Sequence, residues 1–348
     1  MMRWLIGIVA VLVTLWCGWW FAGRYVILSQ TDQLIADQRA AGATLEVPGF
    51  SLAGFPSRFD LSADSISYTD PSGRISYQGG TAFAYALSWK PWHLVFWLPD
   101  SQQITLDGQQ VNLDGKSVHA SLRASPSLDL PLALAAFSAD SLTVTPAAGP
   151  SIGIGPLSLR VEAETGASGQ GHPYRIGATL NEIRPDPALI GAIATTVVPQ
   201  MPATTLPDVI GRLHLDATVA LTAPLDRHAG AAKPHILSLD LRDLGLNWGE
   251  LQMSASGTLT PDDQGFAAGT ISLSVRGWEQ LPRLLVGAGV MEARMAGVLT
   301  NVMRGIASQN SDPAVLVMPL VLKDGWVAFG PLPLGQAPQL GALPSPAG

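Results

Sequence analysis

The residue types that catalyse reactions or bind metals are few and widely spaced in this sequence. No two histidines have the spacing of a His-Glu-x-x-His metal site; they occupy positions 93, 119, 172, 214, 228 and 235. His214 and Asp216 would share one face of a strand, a pattern typical of a solvated surface pair. Asp262 and Asp263 belong to a predicted turn, where aspartates accept local backbone hydrogen bonds. We therefore expect no enzymatic activity, no metal and no cofactor.

Charge and cysteine content exclude further classes of function. The chain has 27 acidic residues against 20 basic ones, which gives no basic surface for nucleic acid. The single cysteine, Cys17, lies in an apolar N-terminal run, so no disulfide framework or cysteine-ligated metal is available to the rest of the chain. The 36 glycines and 27 prolines, with only 14% charged residues, are typical of short strands joined by tight turns.

An uncharged run at residues 4–23 has the length of a membrane-spanning helix. At ~1.5 Å per residue it extends about 30 Å, the hydrocarbon thickness of a bilayer. A cleavable signal peptide is the alternative, but the bulky aromatic residues Trp19, Trp20 and Phe21 at the end of the run favour an uncleaved anchor. Because Arg3 precedes the run, we expect a single-pass inner-membrane protein whose C-terminal domain lies in the periplasm.

Beyond the anchor the hydrophobic pattern changes from helical to alternating. Apolar and polar residues alternate in many short segments separated by turn residues, which predicts antiparallel hairpins forming a curved sheet or open β-groove, with one or two packing helices. The predicted organisation has an anchor at 1–24, a connecting helix at 25–45, a β-rich domain at 46–335 that could divide into two halves near 185–210, and a flexible tail at 336–348.

One hairpin, at residues 251–276, has an apolar face and a hydroxyl-rich face. The apolar face could line a groove for a lipid or another hydrophobic ligand, or it could be ordinary core against a second sheet. An amphipathic helix predicted at 281–309 is typical of a cover on the sheet, with a mobile lid or a membrane-lying helix as alternatives. The candidate ligand-facing residues are Leu251, Met253, Leu259, Ile271, Leu273, Val275, Met291 and Met295.

Tryptophans are concentrated at residues 88–100, in the stretch SWKPWHLVFWLPD. The bulky rings of Trp89, Trp92, Phe96 and Trp97 could fill the core at a strand end. Alternatively they form an exposed patch that faces a membrane or a ligand, because tryptophan favours surfaces that are partly wet.

The stretch VPGFSLAGFPSRFDLSADSISY resembles the start of an uncharacterised alphaproteobacterial family with a membrane anchor, a short helix and a Gly-Phe-Pro-x-Arg-Phe-type motif. That motif is Gly54, Phe55, Pro56, Arg58 and Phe59 here, and GTLTPDDQGFAAGTISLSVRGWEQLPRLL and LKDGWVAFGPLPL are also similar to the family. The resemblance implies no catalytic residues. More loosely, the layout is similar to AsmA-like envelope proteins, which handle lipids in an apolar β-groove.

The motif residues have a structural interpretation of their own. We expect Gly54 to allow a tight backbone approach, and Phe55 and Phe59 to pin the first strand to the sheet. Arg58 would face solvent or pair with a carboxylate, or it would contact a lipid headgroup. The sequence thus predicts an anchored envelope protein that binds a lipid, or a scaffold of an envelope complex with a closed core and envelope-protein partners.

Overall fold

The computed structural model describes residues 2–164, 171–188, 190–191, 207–287, 289, 291–310, 312–329 and 332–341. These residues form two compact units. The first unit comprises Met1–Pro126 and Phe137–Gly149, and the second comprises Ser127–Ala136 and Pro150–Gly348. The predicted antiparallel β-architecture with an N-terminal helix and one or two packing helices is confirmed.

Helix α1 (Met2–Ala40) begins the first unit and is one continuous helix. The predicted anchor and connecting helix are therefore parts of a single element. The helix ends where Gly42 adopts a φ of 90°, as its glycine predicts, and the Gly42 amide bonds the Arg39 carbonyl at 3.0 Å. The helical segment Ile6–Ala40 is long and apolar enough to cross a membrane, and only 6% of its most apolar 18-residue stretch is buried.

The strands of the first unit are short and make two antiparallel sheets. Their bounds are β1 Thr44–Glu46, β2 Ser51–Ala53, β3 Arg58–Ala63, β4 Ile66–Thr69, β5 Ile75–Gly79, β6 Ala82–Leu87, β7 Lys90–Trp97, β8 Ser101–Leu106, β9 Gln109–Lys116, β10 His119–Ala124 and β12 Ser141–Pro146, with β11 (Leu132–Ala139) divided between the units. Within this unit one sheet has the order β1-β4-β5-β8-β9-β12, and the other runs β2-β3-β6-β7-β10.

The second unit is built mostly from longer strands, and from β14 (Leu157–Ala163) onwards each strand pairs with the next one in the chain. These strands are β13 Ile152–Ile154, β14 Leu157–Ala163, β15 His172–Ile183, β16 Ile210–Leu221, β17 Ile236–Trp248, β18 Leu251–Pro261, β19 Ala267–Arg276, β20 Val315–Lys323, β21 Trp326–Phe329 and β22 Leu332–Gln336. From β14 to β22 the spatial order is the chain order, and every adjacent pair for which a register is described is antiparallel. Strict alternation along these strands gives the sheet one apolar face, the dry face, and one polar face, the wet face.

Among the described residues of the second unit, the helices include α2 (Ala229–Ala232), α3 (Leu281–Gly287) and α4 (Ala293–Ala307). The helix predicted at 281–309 is thus two helices. The helical conformation is interrupted at Gly289, whose φ is 72°, and the Met291 amide donates a hydrogen bond to the Leu285 carbonyl. Helix α4 buries a stripe at three- and four-residue spacing, Ala296, Thr300, Met303 and Ala307, as a helix that covers a sheet should.

Two apolar clusters hold the second unit together at different places on the dry face. One contains Trp248, Leu251, Val275, Trp278, Met303, Ala307, Leu316 and Met318, where the helices cover the sheet. The other contains Leu259, Ala267, Leu322 and Ala337. These two clusters are called the helix cluster and the tail cluster below.

Two predicted boundaries differ from the structure. The stretch 185–210 is not a division between units, because β15 and β16 on either side of it pair with each other over nearly their whole length. Part of the tail predicted to be flexible is ordered. The Ala267 amide bonds the Pro338 carbonyl and the Leu340 amide bonds the Gly265 carbonyl, so apolar Ala337 is held in the tail cluster. Residues 342–348 lie outside the described residues.

Candidate functional site

The hairpin of β18 and β19 has the register that its alternation predicts. Met253 pairs with Val275, Ala255 with Leu273 and Gly257 with Ile271, so all six positions lie on the dry face. The serines and threonines between them lie on the wet face and are largely exposed. The interpretation of this stretch as a two-faced hairpin is confirmed, and what covers its dry face decides the function of these residues.

Three of the candidate ligand-facing residues are closed core. Leu251 and Val275 are 1% and 0% exposed and lie in the helix cluster, where α4 contributes Met303 and Ala307. Leu259 is buried in the tail cluster. These residues therefore face packed side chains, because α4 covers one end of the hairpin and the segment around Ala337 packs at the other.

The other candidates are partly covered. Met253 and Leu273 are half-buried against the helix cluster, and Ile271 against the tail cluster. Met291 is half-buried between the two helices, while Met295 is exposed on α4, outside its buried stripe.

An open part of the dry face lies further along the same sheet, across β14 to β17. Register places Leu159, Ala178, Leu215 and Leu244 opposite one another in a row across four strands. Leu159 is 42% and Leu244 38% exposed, while the two middle residues are half-buried. We call this row the leucine row.

The rows on either side of the leucine row are also apolar. One contains Leu157, Leu180, Leu213 and Leu246, and the other contains Val161, Ile176, Ala217 and Leu241. With strands ~4.8 Å apart, each row is about 14 Å wide. Sequence reasoning concentrated on the hairpin and missed this surface, although LSLRVEA and RLHLDATVAL carry the same alternation.

The wet face of the same four strands carries a charged hollow of about 610 Å³. Residues that line it include Arg160, Glu162, Arg175, Arg212, His214, Asp216 and Asp243. Most of the charges are paired across or along the strands. The Arg175 guanidinium donates to both carboxylate oxygens of Asp216 at 2.8 and 2.6 Å, and His214 Nε2 lies 2.6 Å from an Asp243 oxygen.

These pairs correct the predicted relationship between His214 and Asp216. The two residues share a strand face, but each pairs with a side chain on another strand. The hydrogen bonds and charge of Arg175 hold the pKa of Asp216 below its usual value, which keeps the carboxylate ionised. Within the described parts of the chain, no group of three His, Cys, Asp or Glu residues could hold a metal ion. The hollow is therefore a set of solvated ion pairs.

One stretch has the Gly-x-Ser-x-Gly spacing of a nucleophile turn, Gly149–Gly153 around Ser151. A catalytic serine of this type needs a strand before the turn and a helix after it. Here the three-residue strand β13 and then β14 follow the serine. The spacing therefore carries no argument for catalysis.

The motif residues lie in the first unit, against helix α1. Three indole N–H groups of this helix donate hydrogen bonds to backbone carbonyls: Trp16 to Pro56 (3.0 Å), Trp19 to Ser88 (3.0 Å) and Trp20 to Arg58 (2.7 Å). The Arg24 guanidinium also donates to the Leu52 carbonyl. The loop at 54–57, here called the motif loop, and the β6–β7 turn at Ser88–Trp89 are thereby fastened to the helix.

Aromatic packing accompanies these hydrogen bonds. Trp20 is 4% exposed and stacks on Phe59 with a centroid distance of 5.8 Å. A β-carbon at Gly23 would lie 2.6 Å from the Phe59 ring, so glycine at this helix position allows the close approach. The expectation that Phe59 pins the strand is met in this form, since the ring holds β3 to α1 as well as to the sheet.

The remaining motif residues divide between turn geometry and exposure. Gly54 has a φ of 95°, and a β-carbon there would lie 2.8 Å from the Arg58 carbonyl oxygen, so the tight approach expected of it is present. Arg58 pairs with the Asp60 carboxylate at 2.8 Å. Phe55 is 51% exposed and contacts Trp20 and Phe21, so it packs on the helix and does not enter the sheet core.

Comparison with known proteins identifies a family but no activity. No curated protein and no solved structure matches the chain. A family model described as "Uncharacterized protein conserved in bacteria (DUF2125)" matches residues 20–338. The match begins at the docked Trp20 and ends in the segment that closes the tail cluster. Because the matched region covers most of the sequence, the chain belongs to this uncharacterised bacterial family, DUF2125.

Proposed function

We propose that this protein is anchored in the inner membrane by α1, holds its two β-units in the periplasm, and binds a lipid or another hydrophobic ligand on the open dry face of the second unit. The observation that carries the proposal is the leucine row, an apolar row four strands wide with exposed leucines at both ends. Its role would lie in envelope lipid transport or homeostasis.

The energetics of burial favour a ligand with an acyl chain. Each methylene buried on this face contributes about 0.8 kcal/mol, so eight to ten methylenes contribute roughly 6–8 kcal/mol before the costs of association. The wet face on the other side of the same strands carries ion pairs and cannot provide this gain. An apolar chain would therefore select the dry face.

A structural role in an envelope complex is the second candidate. It is favoured by the helix cluster, in which Leu251, Val275 and Leu316 are completely enclosed, so part of the dry face needs no ligand. In this case a protein partner would cover the leucine row. Both proposals assign no catalysis to the chain, and they differ in what lies on Leu159 and Leu244.

Photocrosslinking in cells tests both proposals. A photoreactive p-benzoylphenylalanine replaces Leu244 or, separately, Leu159, and the control replaces Ser158, which is exposed on the opposite face of the same strand. Lipid adducts at both leucine positions and none at Ser158 would support ligand binding. Discrete protein adducts at the leucines would favour the scaffold. Equal adduct yields at all three positions would refute a role for the leucine row.

The membrane topology needs a separate measurement. Alkaline phosphatase fused after residue 348 should be active in cells, because the enzyme folds only in the periplasm, and a cytoplasmic reporter at the same position should be silent. The reverse pattern would overturn the proposed orientation.

A further inference from the structure

The docked part of α1 and its uncharged part overlap. The uncharged run extends over residues 4–23, but the hydrogen bonds from Trp16, Trp19, Trp20 and Arg24 fasten the second half of that run to the first unit. Only residues 4–15 precede the docked half, and their side chains where described are exposed. A bilayer that receives α1 must therefore accommodate this docked half as well.

The lengths can be compared directly. Residues 4–15 extend about 18 Å at ~1.5 Å per residue, whereas the hydrocarbon core is about 30 Å thick. A tilted helix would need more residues to cross, so tilt increases the shortfall of about 12 Å. The missing length is the segment beside the motif loop and the β6–β7 turn.

The side chains around the docked segment suit a membrane interface. Trp19, Phe21 and Phe55 are all more than half exposed, and Trp89 is nearly so. Trp16 lies 6.1 Å from Trp89, and Phe21 lies 5.5 Å from Phe55, measured between ring centroids, so the rings of both loops continue the aromatic surface of the helix. Exposed Lys90 follows Trp89 in the turn. Aromatic rings with a nearby cation are typical of the interfacial layer of a bilayer.

We infer that the motif loop and the β6–β7 turn enter the interfacial layer of the bilayer beside α1, so that the first unit rests on the membrane surface on an aromatic collar formed by Trp16, Trp19, Phe21, Phe55 and Trp89. This inference rests on the proposed membrane anchoring. It assigns to the exposed Phe55 and Trp89 a role that packing within the protein does not explain. A depth of about 5–10 Å, usual for interfacial insertion, supplies a large part of the missing length of about 12 Å.

The inference is tested by fluorescence quenching on the full chain in vesicles of phosphatidylethanolamine and phosphatidylglycerol. In a Cys17→Ser background, an environment-sensitive label is attached to Trp89→Cys or to Ser57→Cys. Ser57 is an exposed motif-loop residue with no part in the ring contacts described above, so its substitution leaves them in place. Leu106→Cys, exposed in the other sheet of the same unit, is the matched control, and Ile8→Cys reports insertion of the anchor.

Lipids spin-labelled near the headgroup should quench the labels at residues 57 and 89 and shift their emission to the blue, while the label at 106 is unaffected. If the label at Ile8 is quenched by acyl-chain spin labels but those at 57 and 89 behave like that at 106, the anchor is inserted and the inference is wrong. If the label at Ile8 is not quenched, membrane anchoring itself fails, and the inference fails with it.

Discussion

Replacement of Trp20 by alanine should release α1 from the first unit. The side chain is buried, stacks on Phe59, contacts Phe55 edge to face and donates to the Arg58 carbonyl at 2.7 Å. Truncation of a buried tryptophan to alanine costs about 3–5 kcal/mol. Because 1.4 kcal/mol is tenfold in an equilibrium constant, docking should weaken roughly 150- to 4,000-fold.

A smaller change separates the hydrogen bond from the ring. Trp20→Phe keeps an aromatic ring beside Phe59 but leaves the Arg58 carbonyl without its indole donor. The loss should be about 1–2 kcal/mol, or roughly 5- to 30-fold. Docking of the helix should therefore be weakest in Trp20→Ala, intermediate in Trp20→Phe and strongest in the wild type.

Amide hydrogen exchange in detergent micelles, followed by mass spectrometry, measures this equilibrium. Peptides from β3 and β6 pack beneath the helix and should exchange faster in Trp20→Ala. The increase should reach up to the roughly 150- to 4,000-fold loss of docking, within the limit set by global unfolding. Trp4→Ala is the control, because Trp4 lies on the same helix and is highly exposed. Unchanged β3 and β6 protection in Trp20→Ala, or an equal loss in both variants, would refute the docking argument.

Three further predictions concern the second unit and are measured by urea unfolding of the full chain. Hydrogen bonding to Arg175 lowers the folded-state pKa of Asp216 below the usual value of a carboxyl group. The pair therefore stabilises the fold at pH values above the usual pKa, and this contribution is lost as the pH falls through the lowered pKa. Asp216→Asn should therefore reduce stability at neutral pH and flatten the acid decline, and identical pH profiles would contradict this. Gly257→Ala should cost about 1–3 kcal/mol, since a β-carbon there would lie 2.1 Å from a backbone carbonyl oxygen on the neighbouring strand at a φ of 156°. The control Gly177→Ala has nothing within 4 Å of its β-carbon and should be neutral or stabilising; equal effects of the two changes would remove the steric argument. Leu316→Ala, at a position with 0% exposure, should cost about 2–5 kcal/mol, and a loss below about 1 kcal/mol would show that the helix cluster is loosely packed.

The sequence predicts the strands and helices of this fold better than it predicts which of them pack against one another. Alternation of side chains is local, so the two faces of the 251–276 hairpin follow directly from residue order. The cover on each face is a long-range property. Leu251 and Leu159 have the same local pattern, yet one is enclosed by α4 and the other is exposed. No local signal distinguishes them.

The same reason explains what was missed in the motif and in the charged hollow. The tight backbone approach at Gly54 can be predicted from the sequence, because a positive φ is a property of one residue. Docking of Trp20 on Arg58 joins residues 38 positions apart, and the pairing of His214 with Asp243 depends on the register of two strands with a bulge between them. Spacing suggested the neighbour Asp216 instead, since period-two reasoning finds partners only within one strand.

The pairing order of the strands also limits the routes by which the chain can fold. From β15 to β22 each strand pairs with the one before it, and most of these pairs close a short loop on a partner that is already present, although the β15–β16 and β19–β20 connections are longer. The second unit can therefore grow from its N-terminal side one hairpin at a time. In the first unit β3 pairs with β6 and β5 pairs with β8, so these pairs cannot form until the intervening strands have been passed. The return of Ala337 and Pro338 onto the start of β19 needs β19 and the C-terminal strands in place, so we expect the tail cluster to close late.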